Sequence, residues 1–252
     1  MSAQDAGVDR IFYDLEYIGK AERQRGRDTV KYHNDIDNVP EVRKVVTKSE
    51  LLVRTNPIHA YTSSEVEKAI QYGADILMLP MAIDKHDVET YVQLINGRAK
   101  VCIMIETAPA MTRIDDIMEV DGVDELFVGL NDLHISLGLN FMFEPFAGGL
   151  VDYIAEKCHK KGMPFGFGGI ARRGDGMLPA DMILGEHVRL GSSSVILSRT
   201  FKGGDTPVAI DFKAEVDKVR TRYKELQTWN EEQLESNRRQ VKELVNQIVY
   251  GV

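Results

Sequence analysis

Short apolar segments alternate with helix-like segments along most of the chain, and this alternation restricts the possible folds more than any other feature. Six segments rich in Val, Ile, Leu and Phe are predicted as strands: 10–14, 51–54, 75–79, 100–106, 125–130 and 165–167. A seventh strand is predicted in 188–190 or 195–198, or in both. The run 101–105 is apolar without alternation, which is typical of a strand buried on both faces of a parallel sheet.

Between these strands, apolar residues recur at helical spacing. Helices are predicted at 63–72, 84–95, 107–120 and 145–161. Strands and helices that alternate in this way form βαβ units around a parallel sheet. In a chain of 252 residues, this pattern favours an α/β fold of the TIM-type (β/α) barrel class, with an open doubly wound sheet as the alternative.

The C-terminal part of the chain differs from the rest in its high charge. Apolar residues recur at heptad-like spacing within 211–250, which predicts two helices with an apolar seam. No Gly/Ser-rich linker divides the chain. We therefore predict a catalytic barrel at 1–205 and a C-terminal helical extension at 206–252, which packs on the barrel or on a neighbouring subunit.

Composition excludes several classes of function. The chain has 31 Lys and Arg against 39 Asp and Glu, and this net charge of −8 disfavours nucleic-acid binding. Two cysteines cannot build a disulfide framework or a four-cysteine zinc site. No apolar run approaches the ~20 residues of a membrane helix, and no secretory leader opens the sequence. We expect a cytoplasmic protein with no membrane or nucleic-acid partner.

Polar residues follow several predicted strands at the point where each strand ends. Asp14, Glu16, Arg54, Glu106 and Asp132 would all face the mouth of a parallel barrel. Carboxylates placed close together repel one another unless cations compensate them. Two arrangements are possible: a network of salt bridges and helix caps, in which Asp132 caps a helix at 133–137 and Arg54 neutralises Glu16, or a hard divalent cation with oxygen ligands.

Five strings carry a resemblance to a known family. They are D-L-E at 14–16, L-V-R-T-N-P at 52–57, G-A-D-I-L-M-L-P at 73–80, I-E-T at 105–107 and V-G-L-N-D-L at 128–133. In this order they resemble the HpcH/HpaI aldolase and citrate lyase β-subunit family of pyruvate/phosphoenolpyruvate-type barrels. The resemblance covers roughly residues 7–201.

The resemblance implies a site and a reaction. Glu106 and Asp132 would hold a divalent metal (Mg²⁺, Mn²⁺ or Co²⁺), and Arg54 would bind a keto-acid or enolate oxygen. Three residues of the last string would bind substrate: Gly129, Leu130 and Asn131. The implied activity is that of a metal-dependent carbon–carbon lyase acting on a keto acid and an aldehyde, in a homo-oligomer. A metal and a guanidinium beside the same oxygen would stabilise an enolate.

The chain departs from the family in three respects. The Pro/Gly/Arg-rich insert that pyruvate aldolases carry before the I-E-T string is absent, which favours the citrate-lyase-like branch or a compact aldolase subgroup. The family places a His or Asp directly after the D-x-E string, whereas this chain has Tyr17. We therefore expect Glu16 or a bound water to transfer the proton, with His59 as a further candidate base. In addition, only residues 1–6 precede the first predicted strand region, so the barrel is expected to be incomplete at its first βα unit.

Three other functions stay open at this point. A citrate-lyase-like enzyme would use the same site with an acyl-CoA partner. A barrel of this kind could also bind a ligand without catalysis. The sequence G-x-G-x-x-A at 166–171 matches a dinucleotide-binding pattern, but the residues that follow it do not open a helix. A glycine-rich turn after a strand is the preferred interpretation of that segment.

Overall fold

The computed structural model describes residues 3–23, 34–203 and 210–251. Its strands are β1 (Arg10–Asp14), β2 (Glu50–Arg54), β3 (Ile76–Leu79), β4 (Lys100–Ile105), β5 (Glu125–Val128), β6 (Phe165–Ile170) and β7 (Ser194–Leu197). Its helices are α1 (Lys20–Arg23), α2 (Val39–Val45), α3 (Thr62–Gln71), α4 (Lys85–Ile95), α5 (Ala108–Thr112), α6 (Ile114–Met118), α7 (Leu130–Ser136), α8 (Glu144–Ala147), α9 (Leu150–Lys161), α10 (Ala180–Leu190), α11 (Phe212–Leu226) and α12 (Glu231–Tyr250). None of the described helices is long and apolar enough to span a bilayer.

The strands form one parallel sheet in sequence order, from β1 at one edge to β7 at the other. This arrangement confirms the predicted α/β barrel architecture and its incompleteness. Within the described residues, a 3-10 helix (Ala3–Ala6) precedes β1, where the family pattern would place a strand and a helix. The order also rejects the doubly wound alternative, in which the strand order reverses.

Both faces of the central strands are buried, in two separate apolar clusters. Alternate side chains such as Leu52, Met104 and Phe127 fill the inside of the curved sheet. Their neighbours, such as Val53 and Ile105, pack outwards against the helices. Because successive side chains of a strand point to opposite faces, this division explains why 101–105 is apolar without alternation.

Several predicted boundaries shift for identifiable reasons. The segment 188–190 is not a strand, because it forms the end of α10, and the seventh strand is β7. The predicted helix 145–161 is divided into α8 and α9 because Gly149 has a φ of +89°, which interrupts a helix. The predicted helix 107–120 is likewise two short helices, α5 and α6, with Arg113 between them.

The glycine-rich segment after the predicted sixth strand is itself part of β6. A Cβ on Gly166 would overlap the Ser194 side chain of β7, and the strand register shifts between Gly166 and Gly169. The glycines therefore allow a bulge and a close approach of two strands. The preferred interpretation as a turn is wrong. Because α10 begins only at Ala180, the segment also lacks the adjoining helix of a dinucleotide site.

The two C-terminal helices contact the barrel helices and the start of β1. On α12, the Asn237 amide donates hydrogen bonds to the Met182 carbonyl and to Glu186 on α10, at 3.0 and 2.9 Å. On α11, Arg220 forms an ion pair with Asp9 at 2.9 Å. These contacts favour packing within the chain. The predicted division between 205 and 206 lies outside the described residues and stays a prediction.

Candidate active site

The side chains of the candidate site extend the inner face of the sheet beyond the ends of its strands. Arg54 stands two residues after Leu52 of the inner cluster, and Glu106 stands two residues after Met104. Because the side-chain period of a strand is two, both polar side chains point into the barrel mouth. The inner positions are thus apolar within the strands and charged at their carboxyl ends.

Arg54 and Asp14 form a two-point ion pair between neighbouring strands. The two residues are register partners in β1 and β2. Arg54 Nε and Nη2 donate to the two Asp14 carboxylate oxygens at 2.8 and 2.7 Å. Burial raises the pKa of Asp14, but Arg54 and Lys20 outweigh it and hold this pKa at about 2. Nη1, the remaining nitrogen of Arg54, contacts the Met104 sulfur at 3.6 Å.

Glu106 is a carboxyl group buried without a cation in ion-pair contact among the described residues. It is 1% exposed, and its Oε1 accepts a hydrogen bond from the Met81 backbone at 2.9 Å. Burial raises the pKa of Glu106 to about 8, with further upward contributions from Asp132 and Glu16 that Arg54 only partly offsets. These electrostatic effects mean that the three carboxylates lie near one another.

Gly129 provides the space that the Glu106 side chain occupies. A Cβ on Gly129 would lie 2.4 Å from Glu106 Oε2 and 2.8 Å from Glu106 Cβ. The next residue, Leu130, has its side chain buried in the outer core, and its role in substrate binding stays a prediction. Asn131 is partly exposed at the start of α7.

Glu16 and Asp132 are linked by Arg23, a residue that the sequence did not single out. Arg23 Nη2 lies 2.5 Å from Glu16 Oε1, and its Nε lies 3.3 Å from Asp132 Oδ1. Lys20, on the same turn of α1, pairs with Asp14 at 2.9 Å and with Glu16 at 3.4 Å. The spacing of four residues between Glu16 and Lys20 is the only sequence pattern that suggests their ion pair. Helix α1 has too few residues for an apolar period that would predict it from the sequence.

The structure shows that Asp132 is not the predicted helix cap, and that Arg54 has a second carboxylate partner besides the predicted one. Helix α7 begins at Leu130 after Gly129, so Asp132 lies within its first turn and does not cap a helix at 133–137. Arg54 contacts Glu16 at 3.2 Å, as the salt-bridge alternative required, but its two-point partner is Asp14.

Tyr17, at the position of the family base, and the candidate bases His59 and Glu16 occupy different surroundings. Tyr17 is 52% exposed, and its backbone N–H is bound by the Asn56 side chain. The His59 ring contacts the Pro57 carbonyl and the Thr62 hydroxyl, both at 3.0 Å. Tyr17, Asn56 and His59 line a cavity of about 290 Å³. Glu16 is buried, and its Oε2 lies in ion-pair distance of Arg54 and Lys20, at 3.2 and 3.4 Å, without a well-aligned hydrogen bond from either.

The carboxylates fit a hard divalent cation that leaves most of its positions to water and substrate. No group of three or more His, Cys, Asp or Glu side chains in the described part of the chain could hold a metal by itself. Mg²⁺, however, is commonly bound through one or two carboxylates, with water and substrate oxygens as the other ligands. Burial, with the neighbouring carboxylates, raises the pKa of Glu106, and a divalent cation beside this carboxyl would favour its ionised form. Glu106 and Asp132 are therefore suitable ligands.

The metal-free protein should lose stability as the pH rises from 6.5 to 8. Because the folded pKa of Glu106 is about 8, above its ordinary value of 4.5, the folded state keeps a proton that the unfolded state has released. Stability is therefore greatest below the unfolded pKa and falls as the pH approaches the folded pKa. We expect a loss of about 1–2 kcal/mol over this range, measured by urea unfolding with a chelator present. An equal slope in Glu106→Gln would contradict the assignment.

Parts of the chain are similar in sequence to a known family and to known proteins. A family model described as HpcH/HpaI aldolase/citrate lyase matches residues 2–142. Hydroxypyruvate/pyruvate aldolase of Rhizorhabdus wittichii is 38% identical over 76 residues, which are 27% of this chain and 30% of that protein. Hydroxypyruvate/pyruvate aldolase of Sagittula stellata is 31% identical over 119 residues, which are 46% of this chain and 40% of that protein. The chain thus matches less than half the length of either relative.

Solved structures share the fold over nearly the whole chain. A HpcH/HpaI aldolase/citrate lyase family protein from Burkholderia cenocepacia J2315 has a TM-score of 0.57 and 19% identity, and the match covers 90% of this chain and 91% of that chain. A HpcH/HpaI aldolase from Desulfitobacterium hafniense DCB-2 has a TM-score of 0.57 and 17% identity, over 90% and 86% of the two chains. At these identities the likeness concerns the fold alone.

Proposed function

Because the chain belongs to the HpcH/HpaI aldolase/citrate lyase family, we propose that it is a divalent-metal-dependent carbon–carbon lyase that cleaves or forms aldols of 2-keto acids through a pyruvate-like enolate. The observation that carries the proposal is the buried Glu106 carboxyl, whose pKa is raised by burial and by its neighbours Asp132 and Glu16 at the barrel mouth. Two relatives named hydroxypyruvate/pyruvate aldolase support a keto-acid substrate.

In this proposal, Glu106 and Asp132 hold the cation. When bound, the cation polarises the keto oxygen and stabilises the negative charge that develops there. Arg54 uses Nε and Nη2 to bind Asp14, which fixes the plane of the guanidinium. Nη1 is then directed to a substrate carboxylate or enolate oxygen, because its present neighbour, the Met104 sulfur, is only a weak acceptor.

Glu16 is the proposed proton acceptor. Its Oε2 is buried and lies 3.2 Å from Arg54 Nη2 and 3.4 Å from Lys20 Nζ, which would stabilise the carboxylate form that a base requires. In the cleavage direction, Glu16 takes the proton of the substrate hydroxyl, the adjacent carbon–carbon bond breaks, and an aldehyde leaves. The electron pair remains on the enolate, which is then protonated on carbon to give the keto acid. His59 and a bound water stay alternative bases. Gly129, Leu130 and Asn131 would supply backbone contacts to the substrate.

Deuterium exchange tests enolate formation without knowledge of the aldehyde. The protein is stripped of metal with a chelator and then incubated with pyruvate in heavy water with Mg²⁺, Mn²⁺ or Co²⁺. We expect deuterium to enter the methyl group, detected by NMR, only when protein and metal are both present. The variant Asp132→Asn lacks one proposed metal ligand and should exchange deuterium only at the protein-free rate. If no metal raised exchange above that rate, the proposal would be wrong.

We further propose that the protein is cytoplasmic and acts on small molecules as a homo-oligomer. An aldehyde is favoured over an acyl-CoA as the second substrate, because the relatives named above are aldolases.

A further inference from the structure

Arg23 joins two parts of the site that lie far apart in the sequence. Its guanidinium contacts Glu16 in the segment after β1 and Asp132 in α7, which is 109 residues away. A third nitrogen, Nη1, lies 3.5 Å from the Ile18 carbonyl. The side chain is 20% exposed, so most of it is enclosed by the residues that it connects.

Acidic and basic side chains are paired in a defined pattern at the mouth. Among the described residues, the four carboxyl groups of Asp14, Glu16, Glu106 and Asp132 lie near three cationic side chains, those of Arg54, Lys20 and Arg23. Two of these three cations come from α1. Arg54 and Lys20 both contact Asp14 and Glu16, whereas Arg23 reaches Asp132. Arg23 therefore compensates the carboxylate that Arg54 and Lys20 do not contact in these ion pairs.

We propose that Arg23 is an internal counter-ion of the site, and that it competes with the divalent cation for Asp132. The inference rests on the proposed function, in which Asp132 is a metal ligand. Arg23 Nε occupies Asp132 Oδ1 at 3.3 Å. A guanidinium and a divalent cation repel each other, and both cannot lie against the same carboxylate oxygen at low energetic cost. Metal binding therefore separates Arg23 from Asp132.

This competition has a thermodynamic consequence. Because the two cations exclude each other at Asp132, removal of the guanidinium should tighten metal binding, and metal binding should loosen Arg23 to the same extent in free energy. In the metal-free protein, Arg23 holds Asp132 and Glu16 in position and limits their repulsion. The site can then remain assembled before the cation arrives.

Mn²⁺ titration followed by electron paramagnetic resonance tests the proposal on the full chain after removal of metal. We expect Arg23→Gln to bind Mn²⁺ about tenfold more tightly than the wild type, within the usual range of coupling between sites. Lys20→Gln is the matched control, because it removes one positive charge from the same helix without a contact to Asp132. Its affinity should change by less than about threefold.

The outcomes of the Mn²⁺ titration separate the role of Arg23 from the proposed function. Equal or weaker Mn²⁺ binding by Arg23→Gln would overturn the role of Arg23 and leave the proposed function intact. Equal tightening in Lys20→Gln would also overturn it, because a general charge effect would then suffice. An absence of Mn²⁺ binding in the wild type and both variants would overturn the metal site itself, and the proposed function with it.

A measurement on the wild type covers the case in which Arg23→Gln fails to fold. Phenylglyoxal modifies accessible guanidinium groups, and peptide mass spectrometry locates the modified arginines. Mn²⁺ should increase modification of Arg23 severalfold, whereas that of the distant Arg98, which pairs with Glu67, should not change. Unchanged or reduced modification of Arg23 at saturating Mn²⁺ would contradict the competition.

Discussion

Replacement of Glu106 by Gln should reduce metal-dependent turnover about a thousandfold or more, because an interaction worth several kcal/mol in the transition state is lost. The fold should survive. The Gln carbonyl oxygen can still accept the Met81 N–H, and the neutral amide avoids the cost of a buried charge. Above pH 8, the variant should therefore be at least as stable as the metal-free wild type, since the pKa of Glu106 is about 8.

The measurement combines deuterium exchange into pyruvate with urea unfolding of the same sample. Glu125→Gln is a suitable control, because Glu125 is also buried but lies at the opposite end of the sheet and pairs with Arg10 at 2.6 Å. That variant should lose stability and keep its exchange activity. Normal exchange by Glu106→Gln would remove Glu106 from the mechanism.

The substitution Arg54→Met should lower the free energy of unfolding by about 3–5 kcal/mol, as expected when one partner of a buried ion pair is removed. Arg54 binds Asp14 at two points and Glu16 at 3.2 Å, and its side chain is 12% exposed. Its loss would leave these carboxylates to Lys20 and Arg23. Deuterium exchange should also fall strongly, since the guanidinium that is proposed to bind the substrate carboxylate or enolate oxygen would be missing.

An exposed ion pair provides the comparison for this loss. Arg98 pairs with Glu67 at 2.7 Å, with the Arg98 side chain 40% exposed. Arg98→Met should cost less than about 1 kcal/mol, because solvent screens exposed pairs. Urea unfolding of both variants at pH 7 measures the difference. If both variants lost the same free energy of unfolding, the buried ion pairs of Arg54 would contribute no more to stability than an exposed pair. Arg54→Lys, which keeps the charge and loses the two-point geometry, should fall between the two.

Much of the inner site could be predicted from local pattern. Arg54 and Glu106 each stand two residues after an apolar residue of the inner face. Because side chains of a strand alternate between its faces, the inward direction of both side chains follows from strand geometry. Strand ends of a parallel barrel converge at one mouth, and therefore polar residues separated by fifty positions could be assigned to one site.

Other features had no local signal. The pairing of Arg54 with Asp14 depends on the register of β1 against β2, which an apolar pattern does not specify to a single residue. The glycines of β6 indicate a turn when only the local sequence is considered, because the contact that requires Gly166 is with Ser194 of the neighbouring strand. Helix α1 has only four residues, so its sequence shows no helical periodicity that would indicate Lys20 and Arg23 as site residues.

The sequence by itself determined the succession of strands and helices, the burial of the central strands on both faces, and the chemical types at the strand ends. These properties depend on side-chain volume, polarity and a two-residue period, which act within one segment. Only the tertiary structure decided which carboxylate meets which cation. Asp132 meets Arg23 across 109 residues because the curvature of the sheet brings α1 and α7 to the same mouth, and electrostatic energy depends on that distance in space and not along the chain.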